Sequence, residues 1–300
     1  MQFLQQLING LQLGSIYALV ALGYTMVFGT VRLINFAHGD VYMVGAYTGY
    51  LVARYFHWGF MPSLLAAMVV CAILGVLIEK IAYRPLRKAP KIASLTTAIG
   101  VSLLLENLVR LIVGPNYLAF PELFPRKTYT LFSRVGANGV ETLSVSNVQI
   151  IVLVVAVALM FLLQYIVHRT RVGKAMRAVS FDKDAAVLMG IDVDATISLT
   201  FAIGSALAGA AGVLVGVAYP RIDPYMGVMS GLKAFVSAVF GGIGIIPGAM
   251  FGGLVMGTAE TWVLAFLRST YKDAIAFTIL ILILLFRPAG LFGKTASEKV

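Results

Sequence analysis

Long apolar runs separated by short polar connections dominate the sequence. Most of these runs are close to the length, about 20 residues, that a helix needs to cross the hydrocarbon core of a bilayer. They cover residues 7–29, 60–82, 94–113, 148–167, 197–219, 228–246, 248–267 and 274–286. The pattern predicts a bundle of membrane-spanning helices.

A shorter apolar run, residues 41–53, follows a polar stretch that contains Arg32, Asn35, His38 and Asp40. This run predicts either a tilted or broken span or a helix buried inside the bundle. The chain has nine spans and an outside N-terminus if every run crosses, and eight if the short run or one glycine-rich piece does not. We therefore expect an all-α integral membrane protein, a polytopic bundle of about 8–9 transmembrane helices.

One long segment, residues 168–195, cannot lie in the bilayer. It contains Arg169, Arg171, Lys174 and Arg177, and burying each of these charges in hydrocarbon would cost several kcal/mol. The segment must lie in water or against a partner protein.

Read at helical spacing, this segment predicts two short amphipathic helices. The apolar residues that share one side of the first helix are Val172, Ala175, Met176 and Val179. Asp182 is expected to cap the start of the second helix and Gly190 to end it in a left-handed conformation, with Asp192 or Asp194 capping the helix that follows. Spacing alone leaves open whether the pair is a solvated connection or a docking surface.

Composition supports the membrane class. The chain is 60% hydrophobic and 12% charged, with a mean hydropathy of +0.92, so it has too little polar surface for a soluble globule. The net charge of +10 comes from basic residues in short connections, as positive-inside topology requires, and not from a nucleic-acid site. The connections predicted to be cytoplasmic are marked by Arg84, Arg87, Lys88 and Lys91, by residues 168–195, and by Arg287 and Lys294. The proline-containing residues 114–147 predict an outer loop.

The sequence lacks the motifs of an enzyme. It has no phosphate-binding GxxxxGK[ST] loop, no nucleophile elbow and no HExxH, so it is not expected to hydrolyse ATP itself. Cys71 is the only cysteine, which excludes an intramolecular disulfide, and the three histidines are scattered. We predict neither a metal nor a cofactor.

A few ionisable residues fall within the apolar runs. Glu106 and Arg110 are four residues apart, which favours a mutually satisfied pair turned toward the bundle interior. Lys233 is expected to snorkel, and Glu260 is best interpreted as a hydrogen-bonded interior carboxyl. The alternative hypothesis is an ion-coupled secondary transporter that uses Glu106 and Glu260 as proton-coupling carboxylates.

Small residues repeat at four-residue intervals in the second half of the chain, and this spacing lets helix backbones approach closely. The two series are Gly204, Ala208, Gly212 and Gly216, and then Gly244, Gly248 and Gly252. Pro247 interrupts the second series, so residues 228–267 predict two spans or one span and a re-entrant piece.

Three motifs carry a family resemblance. LINFAHGDVYMVGAY at residues 33–47, GKAMRAVSFDKDAAVLMGIDV at residues 173–193 and RPAGLFG at residues 287–293 occur in this order, and ALAGAAGVL follows the second motif. As a set they resemble the LivH-type permease subunit of bacterial branched-chain amino-acid ABC importers. The resemblance covers essentially the whole chain.

The resemblance implies a single permease domain over residues 1–300 in the bacterial inner membrane, with a periplasmic loop at about 114–147 and a cytoplasmic coupling-helix loop at about 168–195. The implied partners are a LivM-like second permease, two cytoplasmic ATP-binding subunits, and a periplasmic binding protein that delivers leucine, isoleucine or valine.

The resemblance also assigns roles to individual residues. Those implied to couple to the ATPase are Gly173, Lys174, Arg177, Ala178, Asp182, Ala185, Ala186 and Gly190. The sequence pattern itself, and not the resemblance, suggests which residues could line the translocation pathway: Asn35, His38, Gly39, Glu106 and Glu260.

Overall fold

The protein is represented by a computed structural model that describes residues 1–87, 89–136 and 139–293. Lys88 and Lys294, which the sequence analysis used as markers of cytoplasmic connections, lie outside the described residues. The side chain of Lys91 does so as well.

Eleven α-helices and one two-stranded sheet make up the described part of the chain. The first five helices are α1 (Gln2–Val31), α2 (His38–Tyr55), α3 (Phe60–Ile78), α4 (Lys91–Val113) and α5 (Asn147–Arg169). The other six are α6 (Arg171–Phe181), α7 (Lys183–Leu188), α8 (Val193–Ala218), α9 (Met226–Gly241), α10 (Ile246–Phe266) and α11 (Lys272–Phe286). A π-helical turn, Glu79–Tyr83, extends α3, and a 3₁₀ turn, Ser269–Tyr271, precedes α11.

The predicted all-α class is confirmed. Within the described residues, seven helices are long and apolar enough to cross a membrane: α1, α3 with its π turn, α4, α5, α8, α10, and α11 with its 3₁₀ turn. The 18-residue α2 and the 16-residue α9 are the two pieces whose crossing the sequence left open. Helix α2 is mostly buried, as one of the two interpretations of its short run predicted.

The helices α1, α8 and α2 pack closely through the first series of small residues. Gly204 lies against Gly23 of α1, and a Cβ at this glycine would sit 3.2 Å from the Gly23 carbonyl oxygen. Ala208 is fully buried, and Gly212 lies against the α2 backbone. Gly216 faces the ring of Phe120 in the connection after α4.

The second glycine series is split between a turn and a helix. Gly248 and Gly252 belong to α10, where they lie against the α9 backbone. Gly244 does not share their helix face, so this part of the prediction is wrong. Pro247 lies in the first turn of α10, and Gly244 therefore falls in the preceding connection with a φ of 93°. The predicted interruption of the helix at Pro247 is confirmed.

A β-hairpin occupies the connection between α4 and α5, where the sequence predicted only a loop. Strand β1 (Thr128–Gly136) pairs antiparallel with β2 (Gly139–Ser146), with Thr128 opposite Ser146 and an irregularity between Thr130 and Phe132. The Gln5 side chain exchanges two hydrogen bonds with the Ser144 backbone, at 3.0 and 2.9 Å. The hairpin therefore lies at the end of the bundle where α1 begins, and we call this the hairpin end.

Candidate coupling surface and translocation residues

The helices α6 and α7 lie at the opposite end of the bundle and begin at well-formed caps. The Thr170 hydroxyl accepts the Gly173 amide at 3.2 Å, and an Asp182 carboxylate oxygen accepts the Asp184 and Ala185 amides at 2.9 and 3.0 Å. Gly190 has a φ of 78° after α7, and Asp192 caps α8. The caps predicted at Asp182, Gly190 and Asp192 are confirmed, so the segment is an ordered helix pair.

One face of this pair packs onto the bundle. Met176 and Val179 are buried against the main core. Gly173 is buried so close to α5 that a side chain there would overlap the Val167 carbonyl oxygen. Ala186 is buried as well. Gly173 and Ala186 therefore do not face outward, which corrects the expectation that they lie at a docking surface. Val172, predicted to share the apolar side, is exposed.

The other predicted coupling residues lie at or near the surface. Lys174, Asp182, Ala185 and Gly190 are exposed, while Ala178 is partly buried against the core. Arg177 donates a hydrogen bond to the Val167 carbonyl oxygen, so it satisfies an unpaired carbonyl in the last turn of α5. Arg177 therefore helps to hold the end of α5, whereas Lys174 is exposed on the surface.

Three apolar side chains project from the same pair into solvent. Phe181 is 92% exposed, Leu188 is 88% exposed and Met189 is 81% exposed. We call these three residues the loop-helix patch. They lie in a strongly charged segment that cannot sit in the hydrocarbon core of the bilayer. A cluster of exposed large apolar side chains in such a place is typical of a protein interaction site.

The beginning of α2 carries buried polar groups. Asn35 accepts a hydrogen bond from the Tyr83 hydroxyl at 3.0 Å, and its carbonyl oxygen accepts the His38 amide at 3.1 Å. The His38 ring is buried edge-on against Tyr24, with 4.9 Å between the ring centroids. Gly39 lies against the backbone of Gly227 at the start of α9. The first turns of α2 and α9 therefore meet inside the bundle.

Asp40, which the sequence analysis did not select, belongs to this group. It is 1% exposed, and one of its carboxylate oxygens accepts a hydrogen bond from Ser102 of α4. Glu106 is also buried and lies one helical turn beyond Ser102 on α4. Arg110 is exposed, so it does not turn toward the bundle interior as predicted: its guanidinium donates to Asn107 at 3.3 Å and lies over the Tyr225 ring. Glu106 and Arg110 still interact electrostatically.

Glu260 is held in a second buried cluster, near the hairpin end. Lys233 lies 2.6 Å from one of its carboxylate oxygens, and the Tyr17 hydroxyl donates to the other at 2.9 Å. Lys233 also lies 2.8 Å from Asp273 at the start of α11. The preferred interpretation of Glu260 as a hydrogen-bonded interior carboxyl is confirmed, whereas the expected snorkelling of Lys233 is wrong because its side chain is buried and paired.

Comparison with known proteins identifies the family. A family profile described as "Branched-chain amino acid transport system / permease component" matches residues 6–284. The chain belongs to this permease family. Family membership makes it a transport subunit, and its seven candidate spans make it a multi-pass membrane protein.

Full-length relatives agree with this assignment. The permease protein LivH of Salmonella typhimurium, from a high-affinity branched-chain amino acid transport system, is 43% identical over 99% of this chain and 98% of its own length. The corresponding protein BraD of Pseudomonas aeruginosa is 44% identical over the same shares. LivM of Escherichia coli is 27% identical over 94% of this chain and 69% of its own length. No solved structure matches the chain.

Sequence reasoning overlooked three features of this permease. It did not single out Phe181 and Leu188, although their neighbours Asp182, Lys183 and Asp184 already placed them in water. It passed over Asp40, although an acidic residue opening a short apolar run is a functional signal in itself. It considered Lys233 and Glu260 separately, because nothing in the chain order indicates that α9 and α10 bring them together.

Proposed function

We propose that this chain is the membrane-spanning permease subunit of an ATP-driven importer that carries leucine, isoleucine and valine, or related hydrophobic amino acids, across the bacterial inner membrane. The family description and the names of the full-length relatives support this substrate class. The whole chain acts as one permease domain, and ATP hydrolysis takes place in separate subunits. The absence of a phosphate-binding loop from the sequence supports this division of labour.

The helices α6 and α7 are the cytoplasmic coupling helices in this proposal, and the loop-helix patch docks into a cleft on an ATPase subunit. The observation that carries the proposal is the exposure of Phe181, Leu188 and Met189 in a segment too charged for the hydrocarbon core of the bilayer. Burying large apolar side chains such as these against a partner is favourable. Lys174 adds a charge that orients the encounter more than it adds affinity.

The partners follow from the same assignment. A LivM-like permease completes the translocation unit, and the relationship between this chain and LivM supports a pair of similar folds. Two ATPase subunits bind the α6–α7 end. A periplasmic binding protein delivers the amino acid to the hairpin end, where residues 114–147 form the periplasmic loop.

The translocation pathway passes the start of α2 in this proposal, where Asn35, His38 and Gly39 directly precede Asp40, whose carboxylate binds Ser102 one turn from Glu106 on α4. Buried polar groups within a membrane bundle are costly to retain without a function, and this supports the assignment. Glu260 has a structural role instead, because Lys233 and Tyr17 engage both of its oxygens. The ion-coupled alternative thus keeps only Glu106 of its two proposed carboxylates.

Co-purification from cells that express the chain with its ATPase subunits tests the docking. Leu188→Glu should leave the chain in the membrane but remove the ATPase subunits from the purified complex and abolish ATP-dependent leucine uptake. Tyr129→Glu is the matched control for co-purification of the ATPase subunits, because it introduces the same charge at an exposed apolar residue of the hairpin. Retention of the ATPases by the Leu188 variant would contradict the proposed docking.

A second measurement addresses the ion-coupled alternative. The chain reconstituted alone in liposomes should take up no leucine under an imposed proton gradient. Uptake by the chain alone that disappears in Glu106→Gln would establish the alternative.

A further inference from the structure

The π-helical turn after α3 connects two regions that the proposed function treats separately. One is the start of α8, which directly follows the coupling helices. The other is the polar start of α2, which is proposed to line the pathway. Glu79, Tyr83 and Arg87 make these connections, and we call these three residues the π-turn junction.

On one side, the junction holds the beginning of α8. Arg87 uses one guanidinium nitrogen to bind Glu79 and the other to bind Asp194, in the first turn of α8. Glu79 is fully buried, and its second oxygen accepts a hydrogen bond from Ser198 of α8 at 2.6 Å. A displacement of the start of α8 is therefore transmitted through Arg87 and Ser198 to Glu79.

On the other side, the junction holds the connection into α2. Tyr83 ends the same π turn, and its buried hydroxyl donates to the Asn35 side chain at 3.0 Å. The Asn35 carbonyl oxygen accepts the amide of His38, the first residue of α2. Because Glu79 and Tyr83 belong to one turn, they move together.

Arg84 provides an internal comparison. It also binds Asp194, but this ion pair is about half exposed and does not reach Glu79. Arg84 therefore contributes charge at the same place, but its side chain makes no ion pair with the buried Glu79 carboxylate.

We infer that Glu79, Tyr83 and Arg87 are positioning residues that transmit the movement of the coupling helices to the start of α2. Three links carry the movement: the ion pairs from Asp194 through Arg87 to Glu79, the π turn from Glu79 to Tyr83, and the hydrogen bond from Tyr83 to Asn35. His38 and Asp40 receive it. This inference rests on the proposed function, since it requires an ATPase that moves α6 and α7. It adds a route by which that movement reaches the pathway.

The test compares leucine uptake per ATP hydrolysed in proteoliposomes that contain the complete importer. Arg87→Met should lower this ratio by about tenfold, within the usual range of coupling between distant sites. Tyr83→Phe removes only the hydroxyl, keeps the ring packed on Phe201, and should lower the ratio by about fivefold. Arg84→Met should keep it within about twofold of the wild type, as expected for an exposed ion pair. A wild-type ratio in both junction variants would overturn the inference.

Two double variants separate transmission from stability. Arg87→Met with Glu79→Gln removes both charges of this ion pair, so a purely structural role predicts that folding and the uptake ratio both recover. We expect the folded yield to recover while the ratio stays low, because the contact with Asp194 remains lost. The uptake ratio of the Arg87→Met, Tyr83→Phe double variant should be no lower than that of Arg87→Met alone, since the two residues act in series.

Recovery of the ratio in the first double variant, or multiplied losses in the second, would also overturn the inference. Failure of the proposed function gives a different result. In that case the wild-type complex itself would show no ATP-dependent uptake, whatever the variants do.

Discussion

The described residues contain two charge clusters with buried members, one toward each end of the bundle, and they are built differently. The cluster of Lys233, Glu260, Asp273 and Tyr17 joins four helices, and its Lys233–Glu260 pair is enclosed, with side chains 5% and 7% exposed, while Asp273 at its edge is 35% exposed. The cluster of Glu79, Arg87, Asp194 and Arg84 has one fully buried carboxylate, but its Asp194 side chain is 45% exposed. An enclosed ion pair is costly to break, whereas one that reaches water can be remade as elements move. The comparison indicates a fixed anchor toward the hairpin end and a transmitting contact at the α6–α7 end.

The largest expected effect is on the enclosed cluster. Lys233→Met leaves Glu260 and Asp273 without their cation and should lower the free energy of unfolding by about 3–5 kcal/mol. Denaturant titration of the purified chain in detergent micelles measures this. Lys233→Met with Glu260→Gln should recover most of the loss, because it removes the uncompensated buried carboxylate. A single variant as stable as the wild type would show that the cluster is not an anchor.

Glu79→Gln should have a smaller effect on stability, about 2 kcal/mol, because Arg87 keeps Asp194 as a partner. The same titration measures it. The comparison predicts that this variant also lowers uptake per ATP, whereas the Lys233 double variant does not. If Glu79→Gln and the Lys233 double variant lowered uptake per ATP equally, the two clusters would not differ in their role in transport.

Tyr17→Phe removes one hydrogen bond to Glu260 while Lys233 remains in place. We expect a loss of about 1 kcal/mol in the free energy of unfolding. Uptake per ATP, measured in proteoliposomes, should not change. A reduced ratio would indicate that the hairpin-end cluster also moves during transport.

Arg84→Met should have the smallest effect, less than about 0.5 kcal/mol, because its ion pair with Asp194 is exposed to water on both sides. High salt should change the stability of this variant and of the wild type similarly. A loss of stability as large as that of Glu79→Gln would show that the exposed Arg84 contributes as much to folding as the buried Glu79 does.

Most of the fold could be predicted from the sequence because hydrophobic runs of span length have few alternatives in a bilayer. The helix pair at residues 171–188 was predictable as well, since Asp182 and Gly190 supply local caps that depend only on neighbouring residues. The hairpin was not predictable, because its strands carry no long apolar run. The two strands pair through their backbones, and the Ser144 backbone also bonds to the Gln5 side chain.

The candidate site was less predictable because it depends on contacts between distant segments. Arg87 was interpreted as a topological marker, and only the fold brings it to Glu79 and Asp194. Gly173 and Ala186 were assigned to docking through the family resemblance, but their small size serves packing against α5 and the bundle. The residues that do face outward, Phe181 and Leu188, are apolar, so their pattern resembles that of a buried helix face.

Thiol labelling tests the central claim most directly. Cys71 is the chain's only cysteine and is buried, so Leu188→Cys and Tyr129→Cys provide single reporters at the two ends. With a membrane-impermeant maleimide, Leu188→Cys should react only in inside-out vesicles and should be protected when the ATPase subunits are present. Tyr129→Cys should react only in right-side-out vesicles. Labelling of Leu188→Cys from the outside, or equal labelling with and without the ATPases, would contradict the account.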